Sequence, residues 1–243
     1  PKWVTLGSRL VTLPMPIRNY GRHTPWGKLA AWRDQYEVIL DKLIDDVRAD
    51  PNFGERTDVL TLLLSSTYDD GTVMTRREIA DELLTLLAAG HETTASTMAW
   101  VFERLSRHPE LLDELTAEAD TDANTLRRAT IREVQRARTV IDFAGRHVYA
   151  PSVQIGEWVI PRGHGVIVGI NQIHQNPAVF PDPDRLDPQR FLSGNPSAFE
   201  WLPYGGGSRR CPGSTFANLE MDLVLRTVLR QYTIEPTTAP GEK

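Results

Sequence analysis

From Thr75 to about Arg107 the sequence reads as one uninterrupted helix, and that length restricts the possible folds more than any other feature. Thr75 and Glu78 form the reciprocal pair of a helix start, and Pro109 blocks continuation at the far end. At 1.5 Å per residue such a helix runs roughly 50 Å, enough to cross an entire domain. Apolar positions recur at helical spacing in Trp32 to Val47, Asp58 to Ser65, Glu110 to Ala119, Leu126 to Arg138 and Phe216 to Gln231. On the last helix, Phe216, Leu219, Val224 and Val228 are expected to face a core. Three short β-like runs, Val153 to Ile155, Trp158 to Ile160 and Val166 to Ile170, are broken by glycine and proline and suggest one small sheet. Asn176 to Pro196 reads as an irregular ordered segment, and residues 1 to 25 as a helix end followed by a loop. The expected fold class is therefore mainly α with a small β-sheet.

Within the long helix, Ala88, Ala89, Gly90, His91, Glu92, Thr93 and Thr94 form a poor local choice, since a mid-helix Gly costs about 1 kcal/mol against Ala. Small side chains at Ala89 and Gly90 let a planar group approach the backbone. The Thr93 hydroxyl can bond back to the carbonyl of Ala89, bend the helix and open a groove. A tight helix crossing would also use small residues, but Glu92 disfavours it, and a carboxylate beside a hydroxyl can relay protons into an apolar pocket.

Cys211 is the sole cysteine. It lies in Tyr204-Gly-Gly-Gly-Ser-Arg-Arg-Cys-Pro-Gly213, just before a helical stretch. Glycines let that backbone turn sharply and approach a flat ligand, while helix N-terminal amides and two arginines favour an anionic sulfur. A lone cysteine is more often a small buried hydrophobe, but this context reverses the odds.

Residues 204–213 resemble the haem-binding loop of the cytochrome P-450 family: Gly207, Arg209, Cys211 and Gly213 match its pattern, with Tyr204 where the family has Phe. That exchange keeps the ring and adds a hydroxyl needing a partner. The resemblance implies the C-terminal part of the P-450 fold, with the N-terminal portion absent, so that residues 1–243 form an incomplete single domain. It implies heme b (iron protoporphyrin IX) with Cys211 as the iron ligand, and Tyr204, Gly205, Gly213, Ala89 and Gly90 lining the cofactor. Arg209 and, less directly, Arg146 match positions that pair with its propionates. Residues 88–94 resemble the dioxygen-activating motif of the distal helix, which assigns Thr93 the catalytic alcohol and Glu92 the acid. Glu133, Arg136 and Arg190 match the family's buried ion-pair scaffold behind the thiolate loop, although the Glu133/Arg136 spacing alone fits a solvated helix face. The implied reaction is monooxygenation of an apolar substrate by O2, the thiolate favouring cleavage of the dioxygen bond.

The chain carries no dinucleotide fingerprint, flavin domain or cysteine set for a cluster, so electrons would come from a separate ferredoxin or flavoprotein. Arg127, Arg128, Arg132 and Arg210 are expected to form a basic docking patch for it. Lys+Arg 27 against Asp+Glu 32 gives a net charge of -5, which points away from a nucleic-acid or polybasic membrane partner. One cysteine suits a reducing, cytoplasmic setting. No apolar run reaches the roughly 20 residues of a membrane span, and no signal peptide is recognisable. The six histidines lack zinc-site spacing; His164 and His174 are expected to be solvated or satisfied in a core. The chain opens at Pro1 without an initiator methionine. Without the family's upstream portion, exposed apolar faces and unpaired strand edges are expected. Two other readings stay open: a truncated, haem-free inactive product, and a non-oxygenating haem protein, which the Glu92/Thr93 pair disfavours.

Overall fold

The computed structural model describes Gly21 and residues 23–239. Most of the segment expected to be a helix end and loop, residues 1 to 25, lies outside them. The fold is mainly helical, with small antiparallel sheets.

Helix starts follow their capping residues. Helix α1, Pro25–Arg48, opens earlier than the apolar pattern suggested, because Thr24 accepts from the Gly27 amide at 3.1 Å and Pro25 occupies the first turn. Helix α2, Val59–Ser65, is capped by Asp58, whose Oδ1 accepts from Thr61 N–H at 3.0 Å. Helix α3, Arg76–Leu105, is the long one. Its start carries the expected exchange: Thr75 N–H donates to Glu78 Oε2 at 2.7 Å, and Glu78 N–H to Thr75 Oγ1 at 3.2 Å. Pro109 then opens α4, Pro109–Ala119, and α5 covers Thr125–Ala137. A short α6, Ile170–His174, and α7, Ser214–Gln231, complete the described helices.

The chain divides into two compact units between Ala89 and Gly90. In the first, Leu40, Ile44 and Val47 of α1 pack with Leu60, Ile79 and Ala80. In the second, Val101 and Leu105 of α3 join Leu112 and Leu115 of α4, Ile131 and Val134 of α5, and Met221, Leu225 and Leu229 of α7. A smaller cluster of Ala129, Phe180 and Phe191 lies beside it.

The strands form two ladders rather than one sheet. Strand β1, Phe143–His147, pairs antiparallel with β4, Gly165–Gly169, in the register Phe143↔Gly169 to His147↔Gly165. Strands β2, Ser152–Ile155, and β3, Trp158–Pro161, form a hairpin closed through Gly156, whose φ of 59° suits a two-residue hairpin loop. Nothing in Phe-Ala-Gly-Arg-His marks β1 as a strand: it lacks β-branched residues, and its pairing with β4 makes it one.

Of the core face expected of α7, Val228 is half-buried, while Phe216, Leu219 and Val224 are exposed. Phe216 is 70% exposed and Leu219 56%, whereas Met221, Leu225 and Leu229 are buried. The helix carries two apolar stripes, and contact with α4 and α5 selects the one spaced at i, i+4 and i+8. Leu223 and Val224 are also exposed, so an apolar face and the open edges of two-stranded ladders are present among the described residues.

Candidate functional site

The segment around Cys211 is a tight loop between Trp201 and the start of α7. Gly205 and Gly207 hold φ of 64° and 66°, a region that side chains with a Cβ rarely enter. A 3-10 turn, Gly207–Arg209, follows, and Cys211 N–H closes the loop on the Tyr204 carbonyl at 3.0 Å. Cys211 is exposed. A Cβ on Gly213 would stand 4.0 Å from its Sγ, and Cβ atoms on Gly205 or Gly207 would meet nothing within 4 Å. The added hydroxyl of Tyr204 has its partners: it accepts from Gln135 Nε2 at 2.7 Å and donates to Asn218 Oδ1 at 2.8 Å. Burial pushes this phenol above its ordinary range.

On α5, Glu133 and Arg136 are both fully buried. Arg136 donates from Nε and Nη2 to the two Glu133 oxygens, each at 2.8 Å, a bidentate pair rather than a solvated face. Its other bonds reach the carbonyls of His174 at 3.0 Å and Pro183 at 2.7 Å. Glu133 Oε1 also accepts from Asp187 N–H at 3.0 Å and lies 3.5 Å from Arg190 Nε. Arg190 therefore sits at ion-pair distance, without matching Arg136 as a second bidentate partner. Its Nη2 donates at 2.9 Å to the carbonyl of Asp182, a non-glycine residue at φ 50°.

His174 takes the core-satisfied alternative of the two expected for it, and it links three segments of this architecture. It falls four residues after the buried Ile170 on α6 and is itself fully buried. Nε2 accepts from Leu202 N–H at 2.9 Å, which leaves Nδ1 as the protonated nitrogen, donating to Thr139 Oγ1 at 2.8 Å. A histidine at a core position of a helix needs two such partners, which is the signal that could have revealed it. Burial, then the nearby Arg136 guanidinium, lowers its pKa from 6.5 to about 4. The unfolded chain thus takes up this proton more readily than the folded one. Stability from this group is complete above about pH 6.5 and is lost as pH falls through 4, by up to about 3 kcal/mol. Urea midpoints of the wild type and His174→Gln across this window check it: the wild type should show the steeper decline, and parallel curves would refute the assignment.

On α3, Ala89, Gly90, His91 and Glu92 are exposed and Thr93 is half-buried. A Cβ on Gly90 would meet nothing within 4 Å, and Thr97 Oγ1 donates to the Thr93 carbonyl at 3.1 Å. Arg209 and Arg146 are exposed; Arg146, on β1, donates to the carbonyl of Gly145 at 2.8 Å.

The expected basic patch does not form as drawn. Arg127 is 1% exposed and donates to Asp222 Oδ1 at 2.9 Å and to Glu118 Oε2 at 3.2 Å. Arg132 lies over the rings of Phe191 and Trp201, 4.5 and 4.6 Å from their centroids. Arg128 and Arg210 remain exposed. The acids that absorb Arg127 come from α4 and α7, so no local pattern in α5 announces them.

The chemistry of the Cys211 loop fits a haem: it offers an exposed soft sulfur on a backbone where Cβ atoms at Gly205 or Gly207 would meet nothing within 4 Å, and Arg209, Phe216 and Leu219 are exposed as well.

The family model for cytochrome P450 matches residues 5–243. The chain is 64% identical over 243 residues to "Putative cytochrome P450 138" of Mycobacterium tuberculosis, covering 100% of this chain and 55% of that protein. It is 39% identical over 224 residues to "Putative cytochrome P450 135B1" of the same species, with 90% and 47% covered. Among solved structures, retinoic acid-bound cyanobacterial CYP120A1 superposes with a TM-score of 0.78 at 28% identity, over 94% of this chain and 55% of that one. A second cytochrome P450, CYP102L1, gives 0.74 at 26%, over 88% and 52%. The chain spans about half the length of the curated relatives it matches.

Proposed function

The chain belongs to the cytochrome P450 family, and from that premise we propose that it is part of a haem-thiolate monooxygenase domain. The reaction inserts one atom of O2 into an apolar organic substrate and reduces the other to water, consuming two protons and two electrons. The electrons come from a separate ferredoxin or flavoprotein. No helix among the described residues is long and apolar enough to cross a membrane, and a cytoplasmic setting suits the exposed thiol.

The single observation that carries the proposal is Cys211: the only sulfur of its kind in the chain, exposed, and presented by a loop whose glycines adopt φ of 64° and 66°. Heme b, when bound, supplies redox-active iron, and a thiolate ligand tunes it toward splitting the dioxygen bond. By the resemblance, Cys211 would hold that iron, and Tyr204, Gly205, Gly213, Ala89 and Gly90 would be the residues lining the macrocycle. Arg209 and Arg146, both exposed, would be the cations available to its propionates. The Glu92 carboxylate, exposed on α3, and the adjacent Thr93 hydroxyl would relay protons from solvent toward dioxygen. Glu133, Arg136 and Arg190 keep the segment preceding the loop in place.

The test is the reduced carbon monoxide spectrum of the chain loaded with hemin. The wild type should give the red-shifted band of thiolate ligation, and Cys211→Ser should abolish it while the far-ultraviolet circular dichroism is retained. A wild type without that band would refute the proposal.

A further inference from the structure

The loop presenting Cys211 is anchored at one side chain that touches both flanking helices. Tyr204 occupies the position where the resembling family pattern has Phe, so its hydroxyl is an addition. That hydroxyl is held between Gln135 of α5 at 2.7 Å and Asn218 of α7 at 2.8 Å, and Gln135 is buried. The same residue's carbonyl accepts the Cys211 N–H at 3.0 Å. One residue upstream of Pro203, Leu202 is fastened to His174, and Gly205 N–H returns to the Leu202 carbonyl at 3.0 Å. Between Tyr204 and Cys211 the backbone passes through Gly205 and Gly207, beside which a Cβ would find nothing within 4 Å, and Gly206, whose Cβ would meet only Leu202 Cδ2 at 3.4 Å; Gly207 to Arg210 are exposed. A stretch of this kind has little packing to restrain it.

We propose that the Tyr204 phenol is the positioning contact for Cys211: by bridging Gln135 and Asn218 it fixes the carbonyl to which the cysteine amide is bonded, and with it the direction of the sulfur. A Phe at this place would keep the ring against Trp201, whose centroid lies 6.3 Å away, but would leave Gln135 Nε2 and Asn218 Oδ1 without their shared partner. Losing a bridging hydroxyl and leaving such groups unpaired corresponds to about a tenfold or greater change in the local opening equilibrium. The inference rests on the haem-thiolate reading only for its consequence at iron; the clamp itself is a property of the chain.

Amide hydrogen exchange on the full 243-residue chain without haem tests it. In Tyr204→Phe, and independently in Gln135→Leu, exchange at the Cys211 amide should accelerate about tenfold or more, while amides in the middle of α5 and α7 keep their wild-type rates. The double variant should exchange no faster than Tyr204→Phe alone, because that substitution already removes both bonds of the bridge. Unchanged exchange at Cys211 in Tyr204→Phe would overturn the proposal, as would equal acceleration throughout α5 and α7, which marks general loosening. In a second arm, hemin-loaded Tyr204→Phe should show a smaller share of the red-shifted carbonyl band than the wild type, and an identical share would also overturn it. If the wild type itself lacks that band, the haem-thiolate reading fails and the exchange rates still decide the clamp.

Discussion

Glu133→Ala should destabilise the second unit by roughly 3–5 kcal/mol, because it strands a buried guanidinium. Arg136 is fully buried, and two of its donors are spent on this one carboxylate at 2.8 Å. Without Glu133, only the carbonyls of His174 and Pro183 remain to it at ordinary hydrogen-bond distance. Asp187 N–H loses its acceptor and Arg190 its ion-pair partner in the same step. The damage therefore extends beyond the pair, to the turn at Pro188–Phe191 that packs beside α5. We expect hemin uptake to fall to background in this variant and the urea midpoint to drop with it. Glu133→Gln keeps the shape and part of the hydrogen bonding, so it should lie between the two. Wild-type hemin stoichiometry in Glu133→Ala would remove Glu133, Arg136 and Arg190 from any role in holding the cofactor loop.

Arg127→Ala is the second large effect, also expected at about 3–5 kcal/mol. The side chain is 1% exposed and ties three helices together: it belongs to α5 and reaches Glu118 on α4 and Asp222 on α7. Glu118 would keep the backbone amides of Leu126 and Arg127, at 2.6 and 3.0 Å, so the heavier loss falls on Asp222, whose ion-pair partner disappears. Arg128→Ala, one residue along and exposed, should change stability by no more than about 0.5 kcal/mol. Thermal melts of the two variants separate these outcomes. A similar small effect for both would mean that the Arg127 ion pairs contribute little. The contrast also redirects any test of donor docking: charge reversal at Arg127 would unfold the chain before it could report on electron transfer, whereas Arg128 and Arg210 are open to such a test.

Much of the helical framework was legible in advance, for reasons that are local. Thr75 and Glu78 meet within one turn, so the start of α3 could be placed within a residue. The glycines and cysteine of residues 204–213 likewise act within a few bonds of each other, which is why the loop stood out. Helix α1 began earlier than its apolar pattern because Thr24 and Pro25 set its start, and those caps precede the periodic residues.

Short-range chemistry along the chain was thus enough to locate every described helix except the short α6, together with the turn glycines and the exposed sulfur. Partners distant in sequence settled the rest. Met221, Leu225 and Leu229 turned inward instead of Phe216 and Leu219 because α4 and α5 cover that side of α7. Arg127 and His174 became buried because Asp222 and Leu202, distant in the chain, supply the bonds that compensate their desolvation. Periodicity records that a residue has an apolar or charged character, whereas burial depends on which surface folds over it, and that surface is assembled only in three dimensions.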